Sequence, residues 1–124
     1  MRPYKILICE DDNYVREMVT ANVHDILKYE VVSIPNGKEI VKGIYDNHPD
    51  LILLDYWLPD FNADKLLRWL KTNDKTKNIP VILISSDLQV KKLAFDAGAD
   101  DFLPKPFNVE KLEERINKYI PKQV

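Results

Sequence analysis

The sequence predicts a doubly wound α/β sandwich, with five parallel strands in one sheet and helices on both faces. Three observations predict it. Short apolar runs alternate with segments of helical spacing five times along the 124 residues. The middle runs, at 51–54 and 81–84, are apolar throughout, as strands buried on both faces are. The length suits one ordinary domain, and no linker, repeat or low-complexity stretch divides it.

The first strand is expected at 5–9, followed by the acids Glu10, Asp11 and Asp12. Asp12 is placed to cap the first helix. Val15, Met18, Val19, Ile26 and Leu27 mark the buried face of that helix, in the i, i+3, i+4, i+7 pattern. The second strand is expected at 30–34. Asn36 with Glu39 three residues on resembles a capping box, and Ile40, Val41, Ile44 and Tyr45 mark the second helix. Pro49 introduces the third strand at 50–54, and Asp55 stands at its end. Asn62 caps the third helix, with Ala63, Leu66, Leu67 and Leu70 inward. Pro80 introduces the fourth strand at 81–84, and Ser85 and Ser86 follow. Asp87 caps the fourth helix, with Val90, Leu93, Ala94 and Ala97 inward, and Gly98 stops it. The fifth strand is expected at 101–103, with Lys105 next, between Pro104 and Pro106. Asn108 caps the fifth helix, carried by Val109, Leu112, Ile116, Tyr119 and Ile120. Its acids Glu110, Glu113 and Glu114 precede Lys118 and Lys122, the order that the helix dipole favours.

Right-handed crossovers leave few topologies for this alternation. The flavodoxin-like order 2-1-3-4-5 suits five strands. In such a sheet the ligand crevice lies beyond the carboxyl ends of the strands, where the order reverses. Strand 2, ending in Pro35, Asn36 and Gly37, offers no reactive group and is an outer strand. The other four strands are contiguous. They bring Glu10 and Asp11, Asp55, Ser85 and Lys105 to one edge.

Composition limits the alternatives. Hydrophobic residues make 45% and charged residues 31%, a globular mix with one core. A net charge of −2 argues against direct nucleic-acid binding or a membrane surface, which call for a basic face. The apolar run at 6–9, four residues long, is too short for a signal peptide, which needs roughly 7–15. Nor does any stretch approach the roughly 18 apolar residues of a membrane span, so a cytoplasmic address is expected. Cys9 has no partner cysteine and lies in an apolar run, which reads as a buried, reduced thiol.

Carboxylates that share a crevice repel. Two of them about 4 Å apart cost roughly 4 kcal/mol at an effective dielectric near 20, and a proton or a cation must offset this. An all-oxygen donor set suits a hard ion, Mg²⁺ above Ca²⁺ in an exposed site. With the ammonium of Lys105 and the hydroxyl of Ser85, the set meets the needs of phosphoryl transfer to a carboxylate.

These residues resemble the receiver domain of bacterial response regulators. The resemblance runs through Ile-Leu-Ile-Cys-Glu-Asp-Asp at 6–12, Asp-Leu-Ile-Leu-Leu-Asp-Tyr-Trp-Leu-Pro at 50–59, Pro-Val-Ile-Leu-Ile-Ser at 80–85 and Gly-Ala-Asp-Asp-Phe-Leu-Pro-Lys-Pro-Phe at 98–107. It covers the whole chain, 1–124, as one receiver domain. It implies a phosphorylatable switch of a two-component system, which catalyses only its own phosphorylation and dephosphorylation. Asp55 would be the phosphoacceptor. Asp11, Asp55 and the Trp57 main-chain carbonyl would hold Mg²⁺, with Glu10 acting through water. Ser85 and Lys105 would contact the phosphoryl group, Phe102 would be the aromatic switch, and the Lys105–Pro106 bond would be cis. Trp57 and Asp87 would tune phosphoryl lifetime. The implied partners are a sensor histidine kinase or histidine phosphotransfer protein, and a downstream protein or output domain. Asp100, Asp101 and Arg115 resemble part of a charged set used for homodimers through helix 4, strand 5 and helix 5.

The departures are specific. Phe102 lacks the hydroxyl of the commoner Tyr. Asp60 stands where Gly is usual, and Asn62-Ala63 replaces Asp-Gly. The stretch from Ser85 to Gly98 is about two residues short. A competing reading is a receiver-shaped interaction module whose output does not depend on phosphate. A small-molecule phosphatase is disfavoured, because Trp57 stands where such a site needs a second acid. His24 and His48 read as surface or packing residues.

Overall fold

The computed structural model describes residues 3–120, so Lys122 lies outside the described residues. The strands are β1 (Lys5–Cys9), β2 (Glu30–Ile34), β3 (Leu51–Asp55), β4 (Val81–Ser85) and β5 (Asp101–Pro104). They form one parallel sheet in the order β2-β1-β3-β4-β5. The helices are α1 (Asn13–Ala21), α2 (Ile40–Asn47), α3 (Ala63–Thr72), α4 (Lys91–Ala97) and α5 (Val109–Asn117). Alternate strand residues point to opposite faces. Leu7, Ile52, Leu54, Val81 and Leu83 pack with α2, α3 and α4. Ile6, Ile8, Leu51, Leu53, Ile82 and Ile84 pack with α1 and α5. Two cores thus sandwich the sheet.

Three strands end one residue later than expected, because their ladders continue. Asp55 is in register with Ile84, and Ser85 with Pro104. The Tyr56 N–H extends the ladder to the Ile84 carbonyl. All five expected caps form. Asp12, Asn36, Asn62 and Asn108 each accept from the N–H three residues on, and Asp87 accepts from Gln89. Gly98 ends α4 at φ 115°, a left-handed conformation that favours glycine.

Several residues expected on buried faces are exposed. After α1 the chain makes a π-helical turn at Asn22–Ile26. The added residue in that turn rotates the apolar stripe, so Val23 is buried and Ile26 faces solvent. Met18 and Tyr45 are also exposed, the latter edge-on to Trp69. Leu93 faces out because the short segment opens with a 3-10 turn at Leu88–Val90, leaving seven residues of α4.

Candidate functional site

Glu10, Asp11 and Asp55 meet at the reversal between β1 and β3. Each offers a carboxylate oxygen, and these atoms lie within 4.8 Å of one another. Glu10 and Asp55 are 4% and 6% exposed, whereas Asp11 faces solvent. The Lys105 ammonium is 2.6 Å from Glu10 Oε1 and 3.7 Å from Asp55 Oδ2. The Trp57 N–H donates to Asp55 Oδ1 at 3.2 Å.

One cation among three carboxylates leaves the site short of positive charge. Burial pushes the Asp55 carboxyl up to about 8, and the adjacent Glu10 adds to this against the pull of Lys105 and the Trp57 N–H. Burial also acts to raise Glu10, but hydrogen bonding to Asp55 and Lys105 outweighs it and holds Glu10 below its usual value. Lys105 is likewise opposed by burial, yet its two carboxylate partners raise it. Of the two buried carboxylates, Asp55 is thus the one that favours a proton. Burial, reinforced by the surrounding acids, pushes the Cys9 thiol up to about 12, so no thiolate competes as a soft ligand. All available donors are oxygens, and the donor set fits a hard cation.

Ser85 is buried, and its Oγ accepts the Asp87 N–H at 3.0 Å. That leaves the hydroxyl proton available for donation. The Lys105–Pro106 peptide is cis. The Trp57 ring is 59% exposed and stands edge-on to Tyr56, with centroids 5.0 Å apart. Phe102 lies apart from the carboxylates. Its ring is 3% exposed and packed in the α2–α3–α4 core. Asp101 pairs with Arg115 at 3.5 Å and Lys118 at 3.7 Å, and Asp100 with Lys71 at 2.6 Å. The charges expected at a dimer interface thus have partners within the chain. His24 pairs with Asp25, and His48 caps α2 at φ 48°.

Three features were not foreseen. Arg16 donates from Nη1 to the Glu10 carbonyl at 2.9 Å and bonds Asn13, holding the acidic loop. The Tyr56 hydroxyl donates to Asp64 at 2.8 Å. Asp60 accepts from the Gly37 and Lys38 N–H groups. Arg16, four residues past its N-cap, was within reach of sequence reasoning. Asp60 was visible only as a departure, since its partners lie 22 and 23 residues away.

The sheet order and the acid–lysine cluster at its carboxyl edge define a receiver-type α/β domain. The chain belongs to the response regulator receiver domain family, whose model matches residues 6–117. It is 38% identical over 117 residues to the transcriptional regulatory protein CrdR of Helicobacter pylori, covering 93% of this chain and 54% of that protein. It is 33% identical over 114 residues to the DNA-binding regulator RpaA of Synechocystis, covering 90% and 47%. The chain thus spans about half the length of the curated relatives it matches. A response regulator structure from Chloroflexus aurantiacus superposes with a TM-score of 0.89 at 32% identity, covering 95% of this chain and 98% of that one. Receiver domains are signalling switches of two-component systems rather than classical enzymes, and the family binds Mg²⁺ at an acidic site. Among the described residues no helix is long and apolar enough to cross a membrane.

Proposed function

We propose that this domain, residues 1–124, takes a phosphoryl group onto Asp55 from a histidine kinase or phosphotransfer protein, in the cytoplasm. Modification would switch the α4–β5–α5 surface for a downstream protein or output domain. The observation that carries this reading is the buried Asp55 carboxylate, set against two further carboxylates and one ammonium. An oxygen of the ionised Asp55 carboxylate attacks the phosphorus of a phosphohistidine. A P–O bond forms, the P–N bond breaks, and the imidazole leaves with the electron pair and takes up a proton. Water later cleaves the acyl phosphate, restoring the carboxylate and releasing inorganic phosphate.

Mg²⁺, when bound, supplies positive charge to the transferring oxygens. Asp11, Asp55 and the Trp57 carbonyl would hold it, with Glu10 through water. Lys105 sits close enough to Asp55 Oδ2 to meet a group attached there, and the Ser85 hydroxyl has a proton to donate. Trp57 is exposed beside Asp55, where its ring would shield the acyl phosphate, and Asp87 fixes the turn after Ser85. An apolar hollow of about 430 Å³ opens beside Lys105, lined by Val15, Met18, Pro106 and Phe107. It offers the phosphodonor a docking surface.

Incubation with acetyl phosphate and Mg²⁺ should add one phosphoryl group to the chain, with none in EDTA. Absence of labelling with excess donor and Mg²⁺ would refute the reading. One observation favours a second reading. Phe102 is already packed inward in the unmodified domain, which suits an output that does not wait for phosphate. Equal partner binding by wild type and Asp55→Ala, with or without beryllofluoride, would select it.

A further inference from the structure

Asp60 has no part in the carboxylate cluster, although it lies on the same loop as Trp57, five residues past Asp55. Both of its oxygens are committed elsewhere. Oδ1 accepts the Gly37 N–H at 3.0 Å, and Oδ2 accepts the Lys38 N–H at 3.1 Å. These donors open the 3-10 turn Gly37–Glu39 that leads into α2. Such N–H groups have no partner within their own helix, and they face the positive end of its dipole. Asn36 takes the Glu39 N–H, and Asp60 takes the two before it. The Gly37 and Lys38 bonds hold the Asp60 carboxyl below its ordinary value, against the effect of desolvation.

The contact is apolar as well as polar. Gly37 is buried, and a Cβ built there would lie 2.1 Å from Cβ of Phe61. Only glycine permits that approach. The β3–α3 loop is therefore held against the β2–α2 turn by two adjacent residues, one through hydrogen bonds and one through packing.

Trp57 needs that anchor more than its neighbours do. Tyr56 is tied to the β4 carbonyl at Ile84, and Leu58 is in the core. The Trp57 ring is mostly in solvent, and its N–H reaches Asp55 Oδ1. Its main chain is thus fixed by what holds the loop on either side.

We propose that Asp60 is a positioning residue for the Mg²⁺ site, docking the β3–α3 loop on the turn before α2 so that the Trp57 main chain stays set against Asp55. This rests on the reading of Asp55 and Trp57 as parts of that site. The test titrates MgCl₂ into the full chain and follows tryptophan emission, in a Trp69→Phe background so that Trp57 alone reports. Urea unfolding is run in parallel. Asp60→Gly should weaken Mg²⁺ binding about tenfold, the lower range for loss of a group that orients a metal ligand. Asp60→Asn keeps one good acceptor and should fall between. Gly37→Ala pushes Phe61 away while leaving the Asp60 carboxylate intact, and should weaken binding too. Unchanged Mg²⁺ affinity in Asp60→Asn and Gly37→Ala, with stability alone reduced, would overturn the proposal and leave Asp60 as a helix cap. A wild-type chain that gives no Mg²⁺ response would overturn the underlying site reading, and the inference with it.

Discussion

Two charged clusters in this domain use the same kinds of side chain to opposite ends. At the carboxyl edge of the sheet, Glu10, Asp11 and Asp55 share one ammonium, Lys105. Around β5 and α5, Asp100, Asp101 and Glu114 face Lys71, Arg115 and Lys118. The second cluster balances within the chain, and the Tyr119 hydroxyl and the Val81 N–H add hydrogen bonds to its acids. The first does not balance, and two of its acids are buried. Uncompensated buried charge is costly, so a proton or a cation must offset it. The second needs no outside cation.

The sharpest way to break this contrast is to remove one cation from each cluster. Lys105→Met strands Glu10 in the interior and should cost about 3 kcal/mol in the metal-free domain, the scale of a broken buried pair. Arg115→Met leaves Asp101 with Lys118 and the Tyr119 hydroxyl, and should cost less, about 1 kcal/mol. Urea unfolding in EDTA reads both. Equal losses would remove the distinction.

A smaller effect separates the clusters by pH. Asp55 is pushed up to about 8 when no metal is present, whereas an unfolded Asp titrates near 3.9. The folded value is the higher one. Its contribution to stability is therefore complete below about pH 4 and is lost as pH rises through 8. The metal-free domain should lose stability across that window. Asp55→Asn should lack the decline and be the more stable protein above pH 8, and excess Mg²⁺ should flatten the wild-type curve. The comparison with Asp55→Asn separates this from Glu10, whose lowered value acts in the opposite sense. Chemical denaturation at several pH values checks it.

The architecture was legible because it is written in local signals. Periodicity located all five strands and helices, and the caps Asp12, Asn36, Asn62, Asp87 and Asn108 form with partners two or three residues away. The meeting of Glu10, Asp11 and Asp55 followed from strand order alone. What sequence could not supply was phase and distant pairing. The π-helical turn at Asn22–Ile26 moved Ile26 off the buried stripe, and the 3-10 start of α4 did the same to Leu93. Periodic templates assume an undistorted helix. The Asp60 dock joins two loops through backbone donors, which leave no residue-type signature. The internal pairing of Asp101 with Arg115 was hidden for a related reason. A charge pattern names the ions but not their partners.

The smallest effect concerns the exposed rim of the unbalanced cluster. Trp57 follows Asp55 by two residues, with its N–H on the Asp55 carboxylate and its ring in solvent. Trp57→Asn should leave folding stability nearly unchanged and speed decay of the acyl phosphate severalfold, as water gains access. Loss of phosphate from the labelled domain measures this, and an unchanged or slower rate would contradict the shielding role.

The most direct test of the central claim maps the phosphoryl group itself. Labelling with acetyl phosphate and Mg²⁺, then reduction by borohydride, converts an acylated aspartate to homoserine, which peptide sequencing by mass spectrometry locates. Conversion at position 55 alone, abolished in Asp55→Asn, is the predicted result. Conversion at Asp11, or none at any position in a labelled wild-type chain, would contradict it.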